Sequence, residues 1–337
     1  MAPNGFALPA VLTVTGVVTL IFLVALSALE SLTREAAEAR ARVDFAARAM
    51  RAEARTTYLL ATEPLGSQAL FVGAPRLIDD LGILEDDSAE GVRRLWIDGR
   101  PHEDETVRVR IALQDAAGQL NLATLSPAGF VRLGAELGLE PEEAERLHAR
   151  LQDYVDRDDE RRPNGGESRD YRQGAAPAQQ HLRTPDELLS VLGVREQVNP
   201  DAWRRLRDGL AYDPIRSQLN VNTATSVLLR VELGLTTAQT EAVLIARAAG
   251  PFRSLAEFVS SVAGADPVLD DEDVTSPAPV FTLTVWDDLS RSRYRARLFL
   301  TPNGDRRPFW IDHREFSREE QGIERAEDVA DFPHAPR

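Results

Sequence analysis

An uncharged run of 24 residues, Phe6 to Leu29, constrains this chain more than any other feature. A helix of about 20 apolar residues is long enough to cross the hydrocarbon layer of a bilayer. A cleaved secretory signal has a basic start and an apolar stretch of roughly 7–15 residues. Here the run is longer and Met1-Ala2-Pro3-Asn4 carries no basic side chain, so the span is expected to stay in the mature protein. Pro9 falls in the first helical turn, where its missing N–H costs least. Beyond Leu29, helical spacing continues through Leu32, Ala36, Ala39, Val43, Ala46, Ala47, Met50, Ala54 and Tyr58. Arg34, Glu38, Arg42, Arg48 and Arg55 fall on the other faces. The spacing predicts one helix of about 55 residues, with 6–29 in lipid and 30–62 amphipathic.

Glu63-Pro64 is a natural stop for that helix, and 66–75 reads as loop. Strand patterns follow at 93–97, with Asp98-Gly99 as a turn, and at 106–113. In the second, Val107, Val109, Ile111 and Leu113 share one face and Arg108 and Arg110 the other. Alternation returns at Phe281, Leu283 and Val285, then at Tyr294, Ala296, Leu298 and Leu300, with a short strand expected over 309–311. Strands at both ends with helices between predict an α+β fold, a small antiparallel sheet interrupted by a helical domain. The last twenty or so residues are charged and read as disordered.

The helical middle repeats itself. Gln119-Leu120-Asn121-Leu122 leads into a helix, Leu137-Gly138-Leu139 and a second helix. Gln218-Leu219-Asn220-Val221-Asn222-Thr223-Ala224 leads into a helix and Leu233-Gly234-Leu235 in the same way. Gly138 and Gly234 suit the left-handed residue that ends a helix. Thr184-Pro185-Asp186-Glu187 and Ser254-Leu255-Ala256-Glu257 read as capping boxes. Residues 220–258 resemble a helix-hairpin-helix DNA-binding module. Thr236 stands where such a module has its second glycine, and the chain contains no Lys.

Composition narrows the chemistry. The net charge of −15 opposes binding to a phosphate backbone, and the absence of Cys removes thiolate catalysis, disulfides and thiolate metal sites. The histidines at 102, 148, 181, 313 and 334 form no metalloprotease motif, and no nucleophile elbow or phosphate loop occurs. Asp79-Asp80 and Glu85-Asp86-Asp87 read as surface charge, so no enzyme is expected. One acidic stretch stands out. Asp156, Asp158, Glu160, Asn164 and Glu167 occupy positions 1, 3, 5, 9 and 12 of an EF-hand count. Arg161 takes the place of the usual glycine, and a solvated acidic loop is the competing interpretation.

A short leader ending in Gly5, then Phe6 and an uncharged helix, resembles type IV prepilins and the pseudopilins of type II secretion. That resemblance implies cleavage by a prepilin peptidase after Gly5 and methylation of Phe6. Most such chains carry Glu at the fifth mature position, which here is Ala10. Its absence resembles the minor pseudopilin family called general secretion pathway protein K. So do Asp153-Tyr154-Val155-Asp156-Arg157-Asp158-Asp159, Gly166-Glu167, Tyr171 and Asn220-Val221-Asn222-Thr223-Ala224, in that order.

The resemblance implies a pilin-like fold divided as leader 1–5, membrane span 6–29, periplasmic helix 30–62, β part 63–118, helical insert 119–265, strands 266–314 and charged tail 315–337. It implies a single-pass inner-membrane protein with a periplasmic body, at the tip of the pseudopilus, initiating or capping its assembly. Implied partners are other minor pseudopilins, the prepilin peptidase and the inner-membrane platform. Arg34, Arg40 and Arg42 follow the span, so orientation follows from the resemblance and not from charge bias. Calcium is the implied cofactor, with Asp156, Asp158, Asp159 and Glu167 as ligands. A DNA-uptake protein and a type IV pilus tip pilin are the alternatives.

Overall fold

The computed structural model describes residues 7–73, 92–172, 176–215, 218–262, 264, 274–287, 291–301, 307–318 and 329–334. One helix, α1 (Ala7–Thr62), runs for 56 residues. Its second half buries Phe45, Ala49, Ala52, Leu59 and Leu60 along one face. The two alanines matter because small side chains let the helix backbone approach the sheet closely.

A short pair of antiparallel strands, β1 (Ala69–Val72) and β2 (Arg93–Trp96), follows α1. The main sheet comprises β3 (Asp98–Asp104), β4 (Val109–Asp115), β7 (Val280–Asp287), β8 (Ser292–Leu300), β9 (Phe309–Arg318) and β10 (Ala330–Asp331). Their order is β10-β3-β4-β7-β8-β9, antiparallel except for the parallel β10–β3 pair. Ile111, Leu113, Phe281, Leu283, Val285, Tyr294, Ala296 and Leu298 share one core with Phe45, Ala49 and Ala52. This is the pilin-like arrangement expected from the sequence, a long helix laid on an antiparallel sheet.

Between β4 and β7 lies the helical domain. It contains two-residue strands β5 (Leu120–Asn121) and β6 (Leu210–Ala211), paired in parallel. Its helices are α2 (Pro127–Glu136), α3 (Pro141–Val155), α4 (Val194–Gln197), α5 (Pro200–Leu206), α6 (Ser226–Val231), α7 (Thr237–Ala249) and α8 (Leu255–Ser261). The internal repeat is visible as α2–α3 and α6–α7, turned by Gly138 at φ 78° and Gly234 at φ 67°. A separate core holds this domain, from Leu120 to Val274. It therefore extends past the 119–265 read from sequence.

Asp115 ties the two parts together. Its carboxylate accepts from the Ala117 and Ala278 amides (2.9 and 3.0 Å), Asn220 Nδ2 (2.9 Å) and the Thr223 hydroxyl (2.8 Å). Both chain crossings and the second helical unit thus converge on one fully buried side chain. Burial pushes its pKa up, against the pull of those donors.

Several expectations fail for identifiable reasons. Asp98-Gly99 is not a hairpin turn. It lies within β3, where Gly99 adopts φ 82° and a register shift separates Asp98 from Pro101. The strand expected from 106 begins at Val109, because Arg108 at φ 55° completes a turn whose backbone and side-chain bonds return to Asp104. The strand over 309–311 extends to Arg318, across the boundary placed at 315. Nor are 315–337 uniformly a charged tail, since β10 pairs with β3 and Phe332 is buried in the sheet core. Thr184 begins a 3-10 helix without a side-chain cap, whereas the Ser254 hydroxyl does accept from Glu257 N.

Candidate functional site

The first half of α1 leaves the body with its apolar surface uncovered. Exposure runs from 71% at Leu8 to 41% at Leu26, and among the described residues this is the one helix long and apolar enough to cross a membrane. The helix satisfies its own backbone, as a lipid environment requires. The Thr15 and Thr19 hydroxyls donate back to the Val11 and Thr15 carbonyls, both at 2.8 Å, so neither presents a bare donor to lipid. Gly5 and Phe6 lie outside the described residues, as do Asp79, Asp80, Glu85, Asp86 and Asp87. Ala10 falls in the first turns of α1.

Ion pairs fix the height of the second half on the sheet. Arg48 reaches Asp287 and donates to the Arg108 carbonyl at 2.7 Å. Buried Glu53 accepts from Arg314 Nε and Nη2, each at 2.9 Å, and from the Tyr294 hydroxyl. Arg55 pairs with Asp104. Where α1 leaves the sheet, a groove of about 540 Å³ opens between Val43, Phe45 and Ala46 on the helix and Phe316 on β9.

The acidic loop follows α3. Asp153, the most buried of its carboxylates, accepts from the Arg162 amide (3.2 Å) and the Gly166 amide (2.9 Å), and pairs with Arg162 Nη1 at 2.7 Å. The same Nη1 reaches Asp156. Gly165 passes so close that a Cβ there would lie 1.9 Å from Asp153 Oδ2, which explains the need for glycine. Glu167 is only 2% exposed, yet neither of its carboxylate oxygens has a hydrogen-bond partner, and Asp156 Oδ1 is likewise buried and unbonded. Burial, reinforced by Asp153, Asp156, Asp159 and Asp158, pushes the Glu167 pKa up. Asp158 turns one oxygen to the Glu160 amide at 2.9 Å, and Asp158, Asp159 and Glu160 are exposed.

Of the expected ligands, then, Asp156 and Glu167 turn inward while Asp158 and Asp159 face solvent. The spacing rule missed two participants, Asp153 and Arg162. Asp153 precedes the EF-hand count by one helical turn, and Arg162 carries the wrong charge for a ligand search. Among the described residues, no three acidic or histidine side chains converge at metal-holding distance. A buried carboxylate with both oxygens unbonded is costly unless it meets a counter-charge or takes up a proton.

The hairpin that resembles a DNA-binding module uses its amides internally. The Thr236 hydroxyl accepts from Gln239 N at 3.3 Å, and Gln239 Oε1 accepts from Thr236 N at 2.9 Å. The histidines are dispersed: His102 is buried, with burial lowering its pKa to about 4, and His148 stacks on Phe130.

Residues 111–208, from β4 through the acidic loop to the end of α5, match the family described as Type II secretion system (T2SS), protein K. The type II secretion system protein K of Pseudomonas aeruginosa is 29% identical over 166 residues, covering 46% of this chain and 49% of that protein. The chain thus spans about half the length of that relative. A solved structure, the GspK-GspI-GspJ complex of the enterotoxigenic Escherichia coli type 2 secretion system, is 19% identical with a TM-score of 0.45, covering 63% of this chain and 81% of that one. The resemblance to protein K read from the motifs holds, and the acidic loop lies inside the matched protein K segment.

Proposed function

We propose that this chain is a minor pseudopilin at the tip of a type II secretion pseudopilus, where it initiates or caps assembly for export of folded proteins across the outer membrane. The observation that carries this is the contrast along α1. One continuous helix has a first half with no apolar partner among the described residues and a second half pinned to a sheet by ion pairs. Such a helix is stable only when lipid or neighbouring helices cover its free half, and packing along it supplies the assembly energy. Ala10 fits a tip position, since a subunit with nothing docked above it has no need of a lipid-buried carboxylate there.

The proposed biogenesis is cleavage after Gly5 and methylation of Phe6, with the body in the periplasm. Intact mass after co-expression with a prepilin peptidase tests it, and a chain still beginning at Met1 or Ala2 would reject it. Because the chain has no Cys, a single introduced one reports partners unambiguously. V43C should cross-link to another minor pseudopilin, and cross-linking only to itself would count against the tip assignment.

For the acidic loop we propose calcium as a structural cofactor, held by Asp156 and Glu167 with Asp158 or Asp159. The unbonded, buried oxygens of Glu167 support this. Calcium should raise the melting temperature of the chain and a chelator should lower it, while E167Q should remove the difference. An identical melting curve with and without calcium would end the calcium assignment.

A further inference from the structure

We infer that the cleft between the sheet and the helical domain binds an acidic-apolar peptide segment of another protein, whose carboxylate is taken by Arg205 and Arg247. The cleft measures about 630 Å³ and is lined by residues of β7, α5, α6 and α7. That size falls within the roughly 300–1,000 Å³ of small-ligand sites, which favour boundaries between structural units. The cleft is separate from the exposed half of α1 and from the acidic loop, so it stands independently of the functions proposed for them.

Its charges do not cancel. Glu136 accepts from Arg230 Nε and Nη2 at 2.6 and 2.9 Å. Asp208 pairs with Arg293, and Asp98 is held at 2.8 Å by Arg100. Two lining arginines are left over, in a chain whose net charge is −15. Arg247 on α7 donates Nη1 to the Ala224 carbonyl at 2.6 Å and makes no ion pair among the described residues. Desolvation lowers its pKa, with Asp98 opposing the fall and Arg100 adding to it. Arg205 on α5 is exposed, and its side chain makes no hydrogen bond or ion pair among the described residues.

A neutral donor joins them. Trp286 on β7 is only 7% exposed, and its indole N–H has no hydrogen-bond partner among the described residues. A buried donor left unpaired is costly, and a ligand oxygen would answer it. Leu206, Val227 and Leu244 add apolar wall to the same cleft. Together these groups select the ligand. Guanidinium presents paired donors that match the two oxygens of a carboxylate. An inorganic anion would leave the apolar wall uncovered, and an uncharged peptide would leave the arginines unanswered. A Glu or Asp flanked by aliphatic residues answers both. Arg205 and Asp208, both exposed, give it a mouth open to solvent.

Titration of the full-length protein in detergent with acetyl-Leu-Glu-Leu-amide, followed by tryptophan fluorescence, tests the inference. Binding should saturate, and acetyl-Leu-Gln-Leu-amide should bind about tenfold more weakly, the scale of one lost charge-assisted contact. R205Q should weaken the acidic peptide about tenfold while melting at the wild-type temperature, because that side chain supports nothing else in the fold. R247Q should weaken it at least as much, and W286F should remove the fluorescence change. Equal affinity for the two peptides, or for wild type and R205Q, would overturn the inference. A fluorescence change that survives in W286F would overturn it too, by placing the peptide elsewhere. Sodium phosphate displacing the peptide at equal concentration would overturn the peptide as ligand and leave a plain anion site. Should R247Q fail to fold, R205Q decides alone.

Discussion

The six-stranded sheet has two faces built on opposite principles. Toward α1 it presents Ile111, Leu113, Phe281, Leu283, Val285, Ala296 and Leu298, all buried in one apolar core. Toward the helical domain, the alternate residues of β8 are Arg293, Arg295 and Arg297. Arg293 pairs with Asp208, and Arg295 stands 3.9 Å from the same carboxylate. Arg297 pairs with Asp213 at 2.7 Å. Dispersion and the hydrophobic effect are non-directional, so the first face closes on the helix. Ion pairs act only where groups meet, so the second face holds its neighbour at chosen points and leaves a cleft of about 630 Å³, lined by Thr282, Thr284, Trp286, Arg230 and Arg247. Permanence is built into one face and orientation into the other.

Breaking the apolar face should cost most. Leu283→Ala, at a fully buried position opposite α1, should lose about 2–5 kcal/mol, read by urea denaturation, and should loosen the helix from the sheet. A loss no greater than that of a surface change would show that the helix is held by its ion pairs instead.

The arginine face should yield less. Removing one partner of a buried pair costs about 3–5 kcal/mol, but Asp208 is 54% exposed and partly screened by water. For Asp208→Asn we expect about 1–2 kcal/mol on that discounted scale. Partial desolvation against the sheet would by itself raise the Asp208 pKa, yet Arg293, Arg295 and Arg207 together lower it below the ordinary 3.8. With its folded value depressed, the carboxylate contributes stability that is complete above pH 3.8 and is lost as pH falls through the folded value. Acid titration of D208N should therefore lack part of the wild-type decline below that pH, and superimposable curves would remove Asp208 from the interface.

Salt should give the smallest effect. Between about 0.1 and 1 M sodium chloride the screening length falls from roughly 10 to 3 Å. The wild-type melting temperature should drop slightly relative to D208N over that range, as the arginine pairs weaken and the apolar face does not. Parallel salt dependence in the two proteins would mean that Asp208 adds no net attraction.

Much of the apolar face was legible in the sequence, because alternation at 109–113, 281–285 and 294–298 reports a half-buried strand directly. Asp98–Asp104 was not. Its residues show no alternation of apolar side chains, and it becomes a strand only because β4 and β10 pair with it on either side. The Phe332 anchor was hidden for a similar reason, being one aromatic in a charged stretch whose partner strand lies more than 200 residues earlier. At the acidic loop, spacing picked out Asp156 and Glu167, whose oxygens turn inward, together with Asp158 and Asp159, which face solvent. It could not bring out Arg162 as the counter-charge, because pairing depends on which way a side chain turns.

By itself the sequence determined the long helix and where its apolar run ends, the strand faces at 109–113, 281–285 and 294–298, and the glycine turns at 138 and 234. Each follows from a local rule: a period of 3.6, a period of two, or a residue without Cβ. Only the tertiary structure decided that the arginines of β8 face the aspartates at 208 and 213, that Asp115 joins sheet to helices, and that Arg162 rather than solvent answers Asp153. Those choices depend on groups far apart in sequence meeting at distances of a few ångströms, and a buried charge has no preferred partner until the fold has excluded water from it.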